Sequence, residues 1–231
     1  MKRSEHAIDL SIVMPCLNEE AAIAACIHDA KDFFKKRKIE GEIIVVDNNC
    51  TDKSPQIAKK EGAIVAREKV PGYGSALRAG LVTAQGERII MGDCDQTYDF
   101  LHLDEMYDAL GEYDFVIGDR FKGGIHKNAM PWSHHVGVRI LSLAGRLRYG
   151  VSVHDFHCGI RGIKKDALAK VEYKTTGMEF ATEMIAEAAR KKLSIKQVPA
   201  VLRKGAEGRS PKLRTIRDGF RHLKFILFNH V

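Results

Sequence analysis

This 231-residue sequence predicts an α/β fold built on a doubly wound, mostly parallel sheet, on three observations. Short apolar runs alternate with longer amphipathic segments through the first 120 residues, the pattern of parallel strands joined by helices. Three of those runs end in polar tips that a parallel sheet would crowd into one crevice: Asn18 with Glu19, Asp47, and Asp93 with Asp95. The chain is also long enough to bury a full core, and its 45% hydrophobic and 29% charged residues suit one undivided globular domain.

Residues 9–15 read as the first strand, stopped by Pro15. A helix is expected to open at Asn18, Glu19 and Glu20, with acids in its first turn, and to run to about 38. Residues 42–46 make the second strand. Thr51 then caps a helix to about 62, and 63–66 form a short third strand. The glycine turn at Gly72 and Gly74 leads into a helix ending near 84, and 88–91 are the fourth strand, between Gly86 and Gly92. Residues 103–110 read as a helix and 114–117 as a fifth strand. The second half is less regular, with helices expected at 131–149, 179–191 and 211–228 and strands at 159–163 and 194–200. There are no repeats, low-complexity tracts or Pro/Gly linkers, so no domain boundary is placed.

The first residues are polar, so no secretory leader is expected, and no run approaches the ~18 apolar residues that a membrane span needs. Five cysteines without CxxC or zinc spacing read as reduced thiols of a cytosolic protein. The net charge of +7 is concentrated: residues 203–231 hold eight basic and two acidic side chains, +6 of the total. A partner for positive charge is therefore expected to meet the C-terminal segment. With no aromatic-and-basic RNA module or helix-turn-helix signature, nucleic acid ranks low as that partner.

Asp93 and Asp95, one residue apart where an apolar strand runs out, are costly unless a cation meets them. A divalent metal carrying a diphosphate is the natural candidate, because hard cations share oxygen ligands with phosphates. Alone, an Asp-x-Asp is weak evidence against a plain polar turn. Its company is more specific. SIVMPCLNEE at 11–20, VVDNNCTD at 45–52, GYGSA at 72–76, GDCD at 92–95, GDR at 118–120, DFHCGIR at 155–161, GMEFATE at 177–183 and KLRTIRDGFRH at 212–222 lie in order across nearly the whole chain. With these segments the chain resembles the inverting family-2 glycosyltransferases of GT-A fold, in the polyprenyl-phosphate branch related to dolichol-phosphate mannose synthase.

The resemblance implies a single GT-A domain, with a nucleotide-sugar half (1–120) and an acceptor and membrane-facing half (121–231). It implies Mg²⁺- or Mn²⁺-dependent transfer of a hexose from a UDP- or GDP-linked donor to a polyprenyl phosphate, by a protein held peripherally at the cytoplasmic membrane face. The implied donor set is Pro15, Leu17, Glu19, Asp47, Gly72, Gly74, Asp93, Cys94, Asp95 and Arg120. Asp93 and Asp95 would hold metal, and Asp95 and Arg120 would be catalytic. Arg139, Arg203 and Lys212 are candidates for the acceptor phosphate. Leu17 departs from the family, standing where relatives often carry an aromatic. The Cys94 side chain is expected to pack, since alternation turns it away from the pair.

Other residues have plainer readings. Asp52 is expected only to cap, whereas Asp47, at a strand tip, is expected to touch ligand. Gly72 and Gly74 are expected to let backbone approach a diphosphate. His134, His135, His154 and His157 read as turn and capping residues, and Glu179 as the ion-pair partner of Arg161. The 211–228 helix is either docked as core with a solvated face or an interfacial helix that meets anionic headgroups. Two rivals stand: a soluble or glycan hydroxyl acceptor, which would require Asp155 or Glu179 as base, and a non-catalytic nucleotide-sugar-binding module.

Overall fold

The computed structural model describes residues 8–206 and 215–228. The first four strands are β1 (Leu10–Cys16), β2 (Gly41–Asp47), β3 (Ile64–Arg67) and β4 (Arg88–Met91). β5 (Phe115–Asp119), β6 (Arg161–Lys164) and β7 (Ile195–Pro199) complete one sheet in the order β3-β2-β1-β4-β6-β5-β7. Every pairing is parallel except those of β6, which runs antiparallel to both β4 and β5. β1 is apolar at almost every position because both of its faces are covered, as central parallel strands require. Its one buried hydroxyl, Ser11, is satisfied by Glu42 and by the backbone N–H of Gly86.

Helices flank the sheet. α1 (Ile23–Arg37) packs on α2 (Ser54–Lys60) and reaches α4 (Asp104–Glu112), where Phe33 meets Tyr107 edge-on and Arg37 pairs with Asp104 and Asp108. α3 (Tyr73–Thr83) packs on β1–β3 so closely that a Cβ on Gly80 would lie 2.3 Å from Val13. A short α5 (Arg120–Gly123) follows β5, then α6 (Trp132–Tyr149), the short α7 (Lys165–Leu168), α8 (Phe180–Arg190) and α9 (Thr215–Phe228). α6, α8 and α9 pack on one another, and α8 touches α3.

Strand β4 matches its sequence expectation residue for residue, and the other strands match within about two residues at each end. Two helix starts do not. α1 begins at Ile23 rather than at 18, because Glu19 and Glu20 are laced to the neighbouring loop: their N–H groups donate to Ser54 Oγ and Asp52 Oδ2, and Glu20 accepts from Lys53 N. Thr51 is not the α2 cap, because the helix opens only at Ser54 and the Thr51 hydroxyl is bonded to Asn18. The Asp52 carboxylate takes the N–H and hydroxyl of Ser54 instead, in line with its expected capping role. Of the terminal helix expected at 211–228, residues 211–214 lie outside the described residues.

Two glycines test the packing in opposite directions. Gly72 has φ +141°, and a Cβ there would sit 2.1 Å from the Thr176 carbonyl oxygen. Gly72→Ala is expected to destabilise the fold by about 2 kcal/mol or more in denaturant titration. Gly137 lies inside α6 with nothing within 4 Å of its would-be Cβ, so Gly137→Ala is expected to stabilise by about 0.5–1 kcal/mol.

Candidate active site

The parallel strands β1, β2 and β4 end on one side of the sheet, with Cys16 level with Asp47 and Gly92 donating its N–H to Val13. The loops after them build the crevice. After β1, Leu17 stands 39% exposed and Glu19 is buried. Asn18 joins this loop to the one after β2 through Thr51 and Cys50. After β2, Asp47 Oδ1 accepts the Cys50 N–H at 2.8 Å, so Asp47 serves a turn as well as standing at the strand tip. The Cys16 and Cys50 sulfurs lie 3.8 Å apart, and the bond to Cys16, then burial, holds the Cys50 thiol well above its ordinary pKa. Cys94 is buried, with its thiol on the Pro15 carbonyl. Its side chain therefore packs, as alternation suggested.

Asp93 and Asp95 occupy the turn beyond β4. Asp95 is 2% exposed, and its Oδ1 accepts from the backbone and hydroxyl of Thr97. The Asp93 carboxylate lies against Gly159, where a Cβ would come within 2.6 Å of Oδ2, and near enough to Tyr73 for its charge to act on the phenol. Burial first, then Asp93, raise the Tyr73 pKa well above normal, so Tyr73 stays a neutral donor. The chain from Arg203 to Ala206 folds over this turn: Arg203 N donates to Thr97 O, Ala206 N donates to Asp95 O, and the Arg203 guanidinium pairs with Asp99.

The residues present suit a divalent cation. Both candidate ligands offer hard carboxylate oxygens at one turn, and no cluster of three or more His, Cys, Asp or Glu that could hold a metal occurs among the described residues. A Mg²⁺ or Mn²⁺ held here by Asp93 and Asp95 would have to complete its shell with phosphate and water, the usual arrangement for a metal that travels with a diphosphate.

Several expected placements are revised. Gly72 and Gly74 do not turn their N–H groups to the crevice. Gly72 N donates to Asn48 Oδ1 at 2.8 Å and Gly74 N to Thr176 O at 3.0 Å, and a Cβ on Gly74 would meet the Thr175 carbonyl at 2.6 Å. The glycines admit the 174–177 segment, not a diphosphate. Arg120 is buried in a bidentate pair with Asp155, Nε to Oδ2 and Nη2 to Oδ1, both 2.7 Å. It can shape the field at the crevice floor, but its charge is already matched. Arg161 does not pair with Glu179. It is fully buried and donates to the carbonyls of Phe156, Cys158 and Ala181, while Glu179 pairs with Arg221 of α9 at 2.7 Å. Arg139 is exposed on α6, over the Phe121 ring at 4.8 Å, and Lys212 lies outside the described residues.

Sequence reasoning missed the pair His157 and His222, which meet edge-on at 4.3 Å beneath α9. His222 Nδ1 shares a 2.8 Å hydrogen bond with Thr182, while both ring nitrogens of His157 are buried without a hydrogen-bond partner among the described residues. Burial, then His222, Arg120 and Arg161, push the His157 pKa well below its ordinary range. Burial also lowers His222 to about 4, aided by Arg161 and Arg221 and opposed by Glu179. The sequence signal was the spacing of His222 from Phe225 and Ile226, one helical turn along the buried face.

Comparison with known proteins identifies the family and agrees with the fold. The glycosyl transferase family 2 model matches residues 11–172. A hexosyltransferase of low-salt glycan biosynthesis from Haloferax volcanii is 41% identical over 229 residues, covering 98% of this chain and 55% of the relative. The chain thus spans about half the length of that protein. A dolichyl-phosphate hexose transferase from the same organism is 30% identical over 199 residues, 86% of this chain and 84% of that one. Among solved structures, glucosyl-3-phosphoglycerate synthase from Mycobacterium tuberculosis, in complex with Mn²⁺, UDP and glucosyl-3-phosphoglycerate, gives a TM-score of 0.73 at 22% identity. That match covers 95% of this chain and 80% of the synthase, and at this identity it is a likeness of fold: the GT-A architecture expected from the sequence.

The buried imidazoles make α9 docking acid-labile. Their folded pKa values lie below the ordinary 6.5, so the unfolded state binds more protons as pH falls below that value. Stability is expected to be full above pH 6.5 and to fall between 6.5 and about 4, by up to about 1.4 kcal/mol per pH unit for each histidine. Melting curves of wild type and His222→Gln over that window check this: the wild type should lose more stability than the variant.

Proposed function

This chain belongs to glycosyl transferase family 2, and from that premise we propose that it transfers a hexose from a UDP- or GDP-linked donor to the phosphate of a polyprenyl lipid. One observation favours this acceptor over a hydroxyl. Of the two carboxylates that could have served a hydroxyl acceptor as base, Asp155 is locked to Arg120 through both oxygens, and Glu179 is buried with Oε1 paired to Arg221. A phosphate monoester is already anionic near neutral pH and needs positioning more than deprotonation. The name of the dolichyl-phosphate hexose transferase relative points the same way.

In this mechanism the half-exposed Leu17 and the Asp47 tip receive the nucleoside, and Asp93 and Asp95 would hold a Mg²⁺ or Mn²⁺ that accompanies the diphosphate. A metal bound by these carboxylates would neutralise charge on the leaving diphosphate. A lipid-phosphate oxygen attacks the anomeric carbon from the face opposite the nucleotide. The new C–O bond forms as the bond to the diphosphate breaks, the bonding pair leaves on the nucleoside diphosphate, and the configuration inverts. The Arg120–Asp155 pair is a fixed dipole in the crevice floor that reorganises little during the step. Arg203, whose guanidinium pairs with Asp99 beside the Asp95 turn, Arg139 on α6 and Lys212 are the candidates for the acceptor phosphate.

The surface for a lipid acceptor lies on α6 and α9. Trp132, Ile140, Leu143 and Leu147 on α6 and Phe220, Leu227 and Phe228 on α9 are all more than half exposed. Arg139, Arg148, Arg217 and Lys224 stand exposed on the same two helices. α9 turns Asp218, His222, Phe225 and Ile226 inward and these phenylalanines outward, so it is both docked and apolar outside. No helix among the described residues is long and apolar enough to cross a membrane. A basic rim around exposed apolar side chains suits a helix pair lying in the headgroup layer.

Two experiments test this function. A panel of UDP- and GDP-hexoses with a short polyprenyl phosphate should give turnover that EDTA silences and Mg²⁺ or Mn²⁺ restores. Asp95→Asn should lower turnover by about 100-fold or more with the circular dichroism unchanged. Undiminished activity after exhaustive metal removal would overturn the metal assignment. In flotation assays the protein should bind anionic vesicles at low salt and only partly at high salt, since each basic residue at an anionic surface contributes about 1 kcal/mol that ions screen. Equal partitioning to neutral vesicles would remove the electrostatic part, and no binding to either would favour a soluble acceptor.

A further inference from the structure

The terminal helix and the metal-binding turn are joined by a continuous set of contacts. On α9, Arg221 Nη2 donates to Glu179 Oε1 at 2.7 Å, and Gly177 N donates to the same oxygen at 3.3 Å. The fit is tight: a Cβ on Gly177 would lie 2.3 Å from Arg221 Nη2 and 2.6 Å from Glu179 Oε2. One turn along α8, Glu183 takes Lys174 N at 2.8 Å and the hydroxyl of Thr175 at 2.6 Å. The two glutamates thus fix the 174–177 segment at both ends.

That segment is in turn the seat of α3. The Thr176 carbonyl accepts from Gly74 N and Ser75 N, at 3.0 and 3.2 Å, capping the first turn, and only glycine fits at 72 and 74 beneath it. Tyr73 stands between those glycines. Glu179 is thus linked through the 174–177 segment to the start of α3 and to Tyr73, whose phenol lies near Asp93, one of the two candidate metal ligands.

We propose that Glu179 is a positioning residue for the donor site, through which seating of α9 by Arg221 sets the orientation of Tyr73 and Asp93. The coupling rests on the assignment of this crevice to a metal–nucleoside diphosphate. It adds a consequence. Because the opposite side of α9 carries the exposed apolar residues, a surface that holds α9 in place also organises the donor site, and donor binding must by reciprocity tighten the seating of α9. A lipid surface and the nucleotide sugar then bind with positive cooperativity although they touch different sides of the molecule.

Isothermal titration of the full chain with Mn²⁺–UDP and, in parallel, Mn²⁺–GDP, with no acceptor present, tests this. Glu179→Gln, Arg221→Ala and Tyr73→Phe are each expected to raise the Kd of whichever nucleotide binds by about tenfold, within the range of ordinary site-to-site coupling. The doubles Glu179→Gln/Arg221→Ala and Glu179→Gln/Tyr73→Phe should bind no more weakly than the worse single variant, because each single variant already breaks the same chain of contacts. Arg221→Lys should restore part of the affinity. A merely structural ion pair would lower the melting temperature and leave Kd at the wild-type value, and that result overturns the coupling. Additive losses in both double variants overturn it as well. Should Glu179→Gln fail to fold, Arg221→Ala combined with Tyr73→Phe poses the same question from the two ends. If wild type binds neither nucleotide with Mn²⁺, the donor assignment falls and the coupling with it. Wild-type binding with unaltered variants removes the coupling alone.

Discussion

The buried pair of Arg120 and Asp155 constrains the rest of the site. It is bidentate, nearly solvent-free, and lies where β5 ends, with Arg120 N also donating to Asp155 Oδ2. Breaking such a pair by removing one member costs about 3–5 kcal/mol, because the survivor is left charged in a dry place. It therefore stays made, so Arg120 is no bare phosphate clamp and Asp155 no free base, and the two charges act on the site only as a pair. What remains at the ends of β1, β2 and β4 is a crevice rich in acceptor oxygens. Such a crevice is suited to a ligand that brings its own cation, and a metal–diphosphate does so.

How much of this was legible in the sequence depended on the range of the interaction that decides each feature. Strand β4 was readable to the residue because a local apolar run between two glycines fixes it. The crossing of three polar tips at one edge followed from parallel alternation alone. The direction of β6 did not, since antiparallel insertion between β4 and β5 is set by pairing over about 40 to 70 residues of chain and leaves no local mark. The early helix start at residue 18 failed for the same reason: local acids announce a first turn, but Ser54 and Asp52, more than 30 residues on, take the N–H groups that would have opened it.

The site shows the same division. Asp93, Asp95 and Leu17 could be placed by strand ends. The use of Gly72 and Gly74 was misjudged because a glycine pair signals close backbone approach without saying whose. Here the approaching backbone is the protein's own, a hundred residues later. Glu179 was assigned the wrong arginine on similar grounds. Arg161 is nearer in sequence, but three carbonyls already surround it, and the partner that remains comes from α9, 42 residues away.

Helix α9 gathers these long-range ties. Its inward face joins buried Phe225 and Ile226, a neutral His222 against His157 and Thr182, and at the edge Arg221 on Glu179. None of these needs the apolar residues on its other side. Among the described residues, seven of the twelve exposed large apolar side chains lie on α6 and α9, so their exposure is not the random scatter of an ordinary surface. Covering an apolar area with a lipid or protein surface gains about 25 cal/mol per Å². That gain falls on helices that hold their places through α8, and α8 holds the segment seating Gly72 and Gly74 at the start of α3. A protein whose acceptor is delivered by a surface can in this way keep its donor crevice ordered where that surface is present.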